Sequence, residues 1–200
     1  MTISGFKRLA AIIALIYLAA GLSYAQQDDV ARVSIADLAG KQVRPLEKSQ
    51  AKAVVFLFIQ TDCPLSNRYA PEIKRIYEKY NSGGVNFWLV YPDRDDSAET
   101  IQKHLKEFGY KMGALRDVGY KIVEAAGVSV TPEAAVFVPS KDGMQLIYRG
   151  RIDDLVAAFG KTRSEATKHD LDEMLEAIIG GKKVERKITK AIGCYISDEH

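Results

Sequence analysis

The chain has 200 residues, 47% of them hydrophobic, with 28 lysines and arginines against 26 aspartates and glutamates. That balance lacks the basic excess typical of proteins that bind nucleic acid or anionic membrane surfaces. The sequence has no internal repeats or low-complexity tracts, and its two cysteines are Cys63 and Cys194. The composition therefore favours a globular protein whose sulfur chemistry is limited to two thiols.

The N-terminus has the pattern of an export signal. Lys7 and Arg8 precede an apolar run over 9–22, and Ser23-Tyr24-Ala25 supplies small residues at the positions that a signal peptidase requires. We expect cleavage after Ala25, with an uncleaved single-span anchor as the alternative. The expected protein is exported, to a periplasm or outside the cell, where cysteines normally meet an oxidising environment.

The rest of the chain is expected to form one domain over 26–181 and a tail over 182–200. The all-apolar run at 53–59 indicates a strand buried on both faces. Strands and helices that alternate in this way are typical of an α/β fold, and we predict a three-layer α/β/α sandwich with a central mixed sheet. The predicted elements are strands at 53–59, 85–90, 134–138 and 144–148, helices at 71–80, 97–108, 117–126 and from 167 or 169 to 179, and a weak strand at 31–35.

Cys63 is the first candidate for chemistry, because it stands where the buried strand passes into a predicted helix. Unpaired N–H groups at a helix N-terminus stabilise a thiolate, which is the nucleophilic form of cysteine. Pro64 suits the first helical turn, whereas the neighbouring carboxylate of Asp62 acts against a thiolate. Ser66 is either a hydrogen-bond donor to the thiolate or an ordinary first-turn residue.

Three motifs, in this order, resemble a thioredoxin-fold protein of the redoxin group (AhpC/TSA, TlpA-like) over roughly residues 30–180. They are a strand that ends at Cys63 with Ala70-Pro71 following, the segment 127–132 ahead of another strand, and a hairpin through 148–154. In this family the second motif holds a cis proline that lies against the nucleophile and pairs with substrate backbone, which implies that role for Pro132. More narrowly, Cys-Pro-Leu-Ser-Asn at 63–67 and Gly-Cys-Tyr-Ile at 193–196 resemble an exported bacterial subgroup.

The resemblance implies thiol–disulfide exchange, with Cys63 as the attacking thiol and thiols or disulfides of other exported proteins as partners. No cofactor or metal is expected, because the redox equivalents reside in sulfur. A Cys-x-x-Cys enzyme would carry its second cysteine at position 66, which is Ser66 here. The mixed disulfide through which exchange passes must therefore be resolved by an external thiol, or by Cys194 if the tail folds back.

Two other functions stay open at this point. A thiol peroxidase would oxidise Cys63 to a sulfenic acid and condense it with Cys194. The peroxiredoxin signature, however, needs proline and threonine at positions that are Phe56 and Gln60 here. Thr61, one position away, is kept as a candidate site residue. A non-catalytic module would instead hold the two cysteines in a permanent structural disulfide.

The remaining candidates carry weaker expectations. Arg149 and Arg151, on the predicted hairpin, are the arginines that could serve a peroxidase. Glu133 is either a proton acceptor or an exposed loop carboxylate, and His104, in a polar helix, is expected to be exposed. Soft thiolates favour Cu(I), but a Cys-x-x-x-Cys copper site would need a cysteine where the chain has Asn67.

Overall fold

The computed structural model describes residues 33–47 and 50–196, so the predicted signal peptide lies outside the described residues. The strands are β1 (Ile35–Ala36), β2 (Gln42–Val43), β3 (Ala53–Phe58), β4 (Val85–Tyr91), β5 (Gly113–Arg116), β6 (Val130–Thr131), β7 (Glu133–Ser140), β8 (Gly143–Gly150), β9 (Val156–Ala158), β10 (Lys161–Thr162), β11 (Lys187–Ile188) and β12 (Cys194–Tyr195). The described part has a central six-stranded sheet with the strand order β11-β8-β7-β3-β4-β5. It also has three separate two-stranded ladders, β1-β2, β9-β10 and β6-β12.

The helices agree with the predicted ones except at their first residues. Ser97 caps its helix as predicted, because its side chain accepts a hydrogen bond from the Thr100 N–H. The helix expected from Asp117 begins four residues later, and the Asp117 carboxylate accepts the first N–H groups of that helix instead. The helices are α1 (Pro64–Arg68), α2 (Ala70–Tyr80), α3 (Ala98–Phe108), α4 (Lys121–Ala126) and α5 (Asp170–Ile179), with a 3-10 turn at Asn81–Gly83.

Strand β3 is the centre of the sheet, and it makes the sheet mixed. It pairs in parallel with β4 and antiparallel with β7, and all of its six residues are buried. Because successive side chains of a strand point to opposite faces, a strand without a polar face needs apolar cover on both sides. The uninterrupted apolar run of this strand is thus explained by its position.

Two apolar cores lie on the two faces of the sheet, which confirms the predicted α/β fold with helices flanking a central mixed sheet. One core joins alternate β3 residues to α2, α3 and α5, through buried side chains such as Ile73, Ile101 and Leu171. The other core joins the remaining β3 residues to α4 and the β1 segment, through Ile122 and Ile35. Within the described ranges, no helix has both the length and the apolar character needed to cross a bilayer.

The segment after α5 pairs with two other strands on its way to the end of the sheet where Cys63 lies. It pairs first in parallel with β8, where Lys187 lies opposite Tyr148. It then pairs antiparallel with β6, where Cys194 lies opposite Thr131 and Tyr195 opposite Val130. We call residues 182–196 the tail segment. Its course brings the second cysteine of the chain to the same end of the sheet as the first.

Candidate active site

Cys63 lies at the junction that the sequence indicates, after β3 and directly before α1. It is the N-cap of α1, with Pro64 in the first helical turn. Its side chain is 2% exposed, and its Sγ lies 3.4 Å from the carbonyl oxygen of Thr131, to which the neutral thiol donates. The strand, the helix and the Thr131 segment therefore hold this thiol in a buried position.

The surroundings of Cys63 favour its ionised form. Burial raises the pKa of this thiol, but hydrogen bonds from the Cys194 thiol, from the Ser66 hydroxyl and from the N–H groups of Ser66 and Leu65 outweigh burial and lower the pKa below its ordinary range. Ser66 is buried, and its Oγ also accepts from the N–H of Gln60 at 3.3 Å. The serine that replaces the second cysteine of a Cys-x-x-Cys site is thus a donor to the thiolate.

Cys194 reaches Cys63 because β12 pairs with β6. The pairing continues to the N–H of Ile196, which donates to the carbonyl of Ser129 at 3.0 Å. Both cysteines are free thiols, and their side chains are hydrogen-bonded to each other. Burial, the hydrogen bond to Cys63 and the negative charges of Cys63 and Asp62 raise the pKa of Cys194 to about 12. Cys194 is therefore the protonated member of the pair.

Pro132 follows a cis peptide bond from Thr131, as the resemblance implies. Thr131 is buried, and its hydroxyl donates to Oε1 of Gln60 at 2.5 Å, while Gln60 Nε2 donates to Asp93 at 2.8 Å. These bonds fix the segment whose carbonyl contacts Cys63. Gln60, noted in the sequence only as a departure from the peroxiredoxin signature, is thus part of the site's support.

Glu133 is not an exposed loop carboxylate, which corrects that alternative. It begins β7, is 5% exposed, and its Oε2 accepts from the N–H of Ser129 at 3.1 Å. Burial raises the pKa of Glu133, against the effect of the Ser129 N–H and of Arg149, whose Nε lies 3.8 Å from the carboxylate. The bond from the Ser129 N–H supports the backbone that leads into β6.

Thr61 lies in the loop between β3 and Cys63, and its hydroxyl donates to Oδ1 of Asp96. The Thr61 N–H donates to the other oxygen of the same carboxylate at 3.4 Å. Asp96 is buried, and burial raises its pKa, as do the nearby charges of Asp93 and Asp62. Sequence reasoning did not identify Asp96, because it lies in a run of polar residues, 93–97, that resembles an ordinary surface loop.

His104 is buried rather than exposed, which corrects the expectation from its polar helix. Its Nε2 lies 2.8 Å from Oδ1 of Asn67 and its Nδ1 lies 2.9 Å from the hydroxyl of Tyr91. Asn67 Nδ2 in turn donates to the carbonyl of Thr61 at 3.0 Å. Burial lowers the pKa of His104, so the imidazole is neutral at pH 7. A chain of hydrogen bonds therefore connects α3 to the loop that precedes Cys63.

The two arginines considered for peroxide chemistry have partners outside the thiol pair. Arg149 donates to the carbonyl of Gly127 and lies beside Glu133. Arg151 donates to the carboxylate of Asp170 at 2.7 Å. Their bonds orient both guanidinium groups toward structural carboxylates and backbone.

One group of potential metal ligands occurs among the described residues. It consists of Glu72, Asp153 and His169, whose ligand atoms lie within 4.8 Å of one another. Glu72 already accepts two hydrogen bonds from Arg75, and Asp153 accepts one from the Tyr69 hydroxyl at 2.7 Å. These bonds explain the grouping without a metal ion.

Solved structures and curated proteins show what this arrangement is similar to. Thiol-disulfide oxidoreductase ResA of Bacillus thuringiensis (strain Al Hakam) is 28% identical over 109 residues, which are 54% of this chain and 60% of that protein. The chain thus spans about three fifths of the length of that curated relative.

Two solved structures show the fold. A hypothetical protein from Sinorhizobium meliloti 1021 has a TM-score of 0.69 at 22% identity, over 82% of this chain and 89% of that one. A secreted Mycobacterium tuberculosis disulfide oxidoreductase, homologous to E. coli DsbE, has a TM-score of 0.51 at 17% identity, over 77% and 98%. These similarities confirm the predicted thioredoxin-like fold.

One family model matches the greater part of the chain. It is the model of the AhpC/TSA family, and it matches residues 27–147, more than half of the chain. The matched residues include Cys63, Ser66 and Pro132, and they end before the tail segment. The chain therefore belongs to the AhpC/TSA family.

Proposed function

We propose that this protein is an exported thiol–disulfide oxidoreductase, in which Cys63 is the attacking thiol and Cys194 the resolving thiol. The observation that carries the proposal is the register of β12 on β6, which pairs Cys194 with Thr131 and so brings it to the sulfur of Cys63. The lowered pKa of Cys63 suits the attacking thiol, and the raised pKa of Cys194 suits a thiol that stays protonated until the second step.

In the first step, the Cys63 thiolate attacks one sulfur of a substrate disulfide. The substrate S–S bond breaks, its other sulfur leaves as a thiolate that takes a proton from solvent, and a mixed disulfide forms at Cys63. The donors around the thiolate, which include the Ser66 hydroxyl, increase the fraction of Cys63 that is ionised at neutral pH.

In the second step, Cys194 loses its proton and attacks the sulfur of Cys63. The mixed disulfide breaks, the Cys63–Cys194 disulfide forms, and the substrate leaves with its second thiol reduced. The first step also prepares this one. Once Cys63 is part of a disulfide its negative charge is gone, and with it two of the causes that raise the pKa of Cys194. The resolving thiol therefore becomes easier to ionise only after substrate is attached.

The other candidate residues have supporting roles in this proposal. Pro132 and Thr131 form the wall against which both sulfurs lie, and Thr61 joins the loop before Cys63 to Asp96. An external dithiol reduces the Cys63–Cys194 disulfide and completes the cycle. Electrons pass between sulfur atoms throughout, so the proposal includes no cofactor.

Partners and location follow from the same chemistry. The name of the curated relative, thiol-disulfide oxidoreductase, supports partners that are thiols or disulfides. The predicted signal over residues 1–25 supports partners that are exported proteins, in a periplasm or outside the cell. The Mycobacterium tuberculosis protein of similar fold is itself described as secreted.

The reduction potential of the Cys63–Cys194 pair tests the proposal. It would be measured by thiol trapping and mass spectrometry of the protein equilibrated over a graded glutathione series. We expect a midpoint between about −120 and −270 mV, the range of known exchange catalysts. The variant Cys194→Ser, which cannot form the bridge, is the matched control.

Three other results would contradict the proposal. A bridge that stays closed below about −300 mV would indicate a structural disulfide. A failure to form the bridge under oxidant would exclude Cys194 as the resolving thiol. Fast consumption of peroxide by the reduced protein, without exchange of peptide disulfides, would indicate a thiol peroxidase.

A further inference from the structure

The thiol of Cys63 is covered by the chain's own tail segment. Only 2% of the side chain is exposed, and its partners include the Cys194 thiol of β12. A macromolecular disulfide cannot contact a sulfur so enclosed. Any partner that reacts with Cys63 must therefore first take the place of β12.

The β12 part of the tail segment pairs with β6 over a short length. Strand β12 has two residues, and Tyr195 beside Cys194 is 80% exposed. Cys194 and Ile196 are only half-buried. Ile192 and Ile196 pack against the two apolar cores, but both are only partly buried. A strand of two residues opens at a lower cost in free energy than unfolding of the whole protein. The edge of β6 can therefore be vacated while the central sheet stays folded.

We propose that a partner segment that binds at the edge of β6, the strand next to Pro132 where the family resemblance places substrate backbone, must have glycine before its reactive cysteine. The tail segment occupies this site until such a partner displaces it. The inference rests on the proposed function and names the class of its substrate. The partner segment pairs antiparallel with Val130–Thr131, and its cysteine lies opposite Thr131, as Cys194 does now.

The requirement for glycine comes from the contact that Gly193 makes. A Cβ added to Gly193 would overlap the carbonyl oxygen and carbon of Thr131, and it would lie 3.1 Å from the nitrogen of Pro132. All three atoms are backbone, next to a hydroxyl and a carboxylate that are both hydrogen-bonded. They cannot move aside as a flexible side chain would. A partner bound in the same register meets the same wall with the residue that precedes its cysteine.

The chemical step conserves atoms and electrons. The Cys63 thiolate attacks the sulfur of the partner's cysteine, the partner's disulfide breaks, and the departing sulfur carries away the electron pair. The partner's cysteine stays bonded to Cys63 as a mixed disulfide while the rest of its segment unpairs from β6. Strand β12 then pairs with β6 again, and Cys194 loses its proton and attacks the sulfur of Cys63. The bond between Cys63 and the partner breaks as the Cys63–Cys194 bond forms, and the partner's sulfur leaves as a thiolate that takes up a proton. Displacement and return of β12 thus separate the attack from the resolution.

The specificity would be tested with two peptides on the full-length Cys194→Ser variant. One peptide copies residues 191–196, and the other has valine in place of the glycine. Each carries thionitrobenzoate as a mixed disulfide on its cysteine, so that attack on the peptide sulfur releases the coloured thionitrobenzoate anion. We expect the valine peptide to react at least about tenfold more slowly, since backbone atoms obstruct it. Equal rates with the two peptides would overturn the inference while leaving thiol exchange intact.

The cover over Cys63 would be tested without any exchange reaction. Gly193→Ala adds the single carbon that the wall does not accommodate, and it should undock β12. Cys63 is then alkylated with iodoacetamide at an alkaline pH, where the thiol is ionised, and the extent of reaction is measured by peptide mass spectrometry. Alkylation of Cys63 should be about tenfold faster in Gly193→Ala than in the parent protein. Gly119→Ala is the matched control, because a Cβ there meets nothing within 4 Å.

An unchanged alkylation rate in Gly193→Ala would show that the tail segment does not cover Cys63, and the inference would fail. Faster alkylation, combined with no reaction of either peptide, would instead remove the proposed exchange activity and with it the substrate class. The two experiments therefore separate failure of the inference from failure of the proposed function.

Discussion

The Nε2 atom of His104 lies 2.8 Å from Oδ1 of Asn67. The other hydrogen bonds of these two residues determine which of the two atoms is the donor. Asn67 uses its amide NH₂ to donate to the carbonyl of Thr61, so its oxygen faces the imidazole. His104 must then donate from Nε2 and accept at Nδ1 from the Tyr91 hydroxyl. The neutral imidazole fits this arrangement, whereas a second ring proton at Nδ1 would remove the acceptor for Tyr91.

This arrangement predicts that stability falls in mild acid. The folded state lowers the pKa of His104, so below about pH 6.5 the unfolded chain binds a proton that the folded chain resists. The contribution of His104 is therefore present above that pH and is lost as the pH falls through the folded-state pKa. Urea unfolding at a series of pH values between roughly 5 and 8 measures it.

His104→Phe should remove this part of the pH dependence. Phenylalanine keeps the ring packing against Phe108 and Tyr110, but it leaves the Tyr91 hydroxyl and the Asn67 carbonyl without their partner. The expected loss of stability at neutral pH is about 1–3 kcal/mol. The exposed His169 provides the control, because His169→Phe should change stability little. A His104→Phe variant that keeps the pH dependence of the parent would contradict the assignment.

A second prediction concerns the ionisation of Cys63. Ser66→Ala removes a hydroxyl that lowers the pKa of this thiol, so burial is opposed by fewer donors and the pKa should rise. The thiolate absorbance in the far ultraviolet, followed against pH in the Cys194→Ser background, reports Cys63 alone. The exposed Ser82 gives the matched control, Ser82→Ala. An unchanged titration midpoint in Ser66→Ala would exclude the hydroxyl as a donor to the thiolate.

A third prediction separates the two cysteines by their products. Cys194→Ser keeps the attacking thiol but lacks the resolving one, so incubation with a peptide disulfide should accumulate the mixed disulfide with Cys63. The parent protein should release the peptide and end with the Cys63–Cys194 bridge. Non-reducing mass spectrometry distinguishes the two products, and Cys63→Ser should give neither. Equal accumulation in the parent and in Cys194→Ser would mean that an external thiol resolves the intermediate.

A fourth prediction concerns Asp117 as the cap of α4. Its buried carboxylate accepts from the N–H groups of Lys121, Ile122 and Val123 at 2.9, 2.8 and 3.0 Å. Asp117→Ala leaves these donors without partners and should cost about 2 kcal/mol or more in the free energy of unfolding. The exposed Asp95 serves as control, as Asp95→Ala should have little effect. A loss for Asp117→Ala below about 0.5 kcal/mol would show that water satisfies these groups.

The sequence predicts best those elements whose apolar pattern is compatible with only one kind of secondary structure and burial. The run at 53–59 has no polar face, and it became the central strand β3. The position of Cys63 at the end of that strand followed directly. The predicted start of α4 at Asp117 was wrong, because the helix begins at Lys121. Asp117 caps that helix with its side chain from four residues away, and its backbone is not helical.

His104 shows a limit of another kind. Its neighbours Lys103, Lys106 and Glu107 made the helix look polar, but Ile101 and Phe108 share the face on which His104 lies. Spacing of three and four residues was thus a signal for burial. The partners of His104 could not be predicted, because Tyr91 and Asn67 come from a separate strand and a separate helix.

The contact between the two cysteines depended on pairing that leaves little trace in a sequence. Strands β11 and β12 have two residues each, too few for any alternation of apolar and polar residues. The resemblance suggested that Cys194 belongs with Cys63, whereas the register that brings them together comes from the backbone of β6.

The tail segment also has a consequence for the fate of the whole molecule. Strand β11 pairs with Tyr148 and Arg149 on the outer edge of β8, and open edges of a sheet are templates for pairing between chains. A chain that ended before residue 182, through early termination or proteolysis, would lose Cys194 and would at the same time expose this edge. Loss of the C-terminus would thus remove the second thiol and, in the same event, favour pairing between chains.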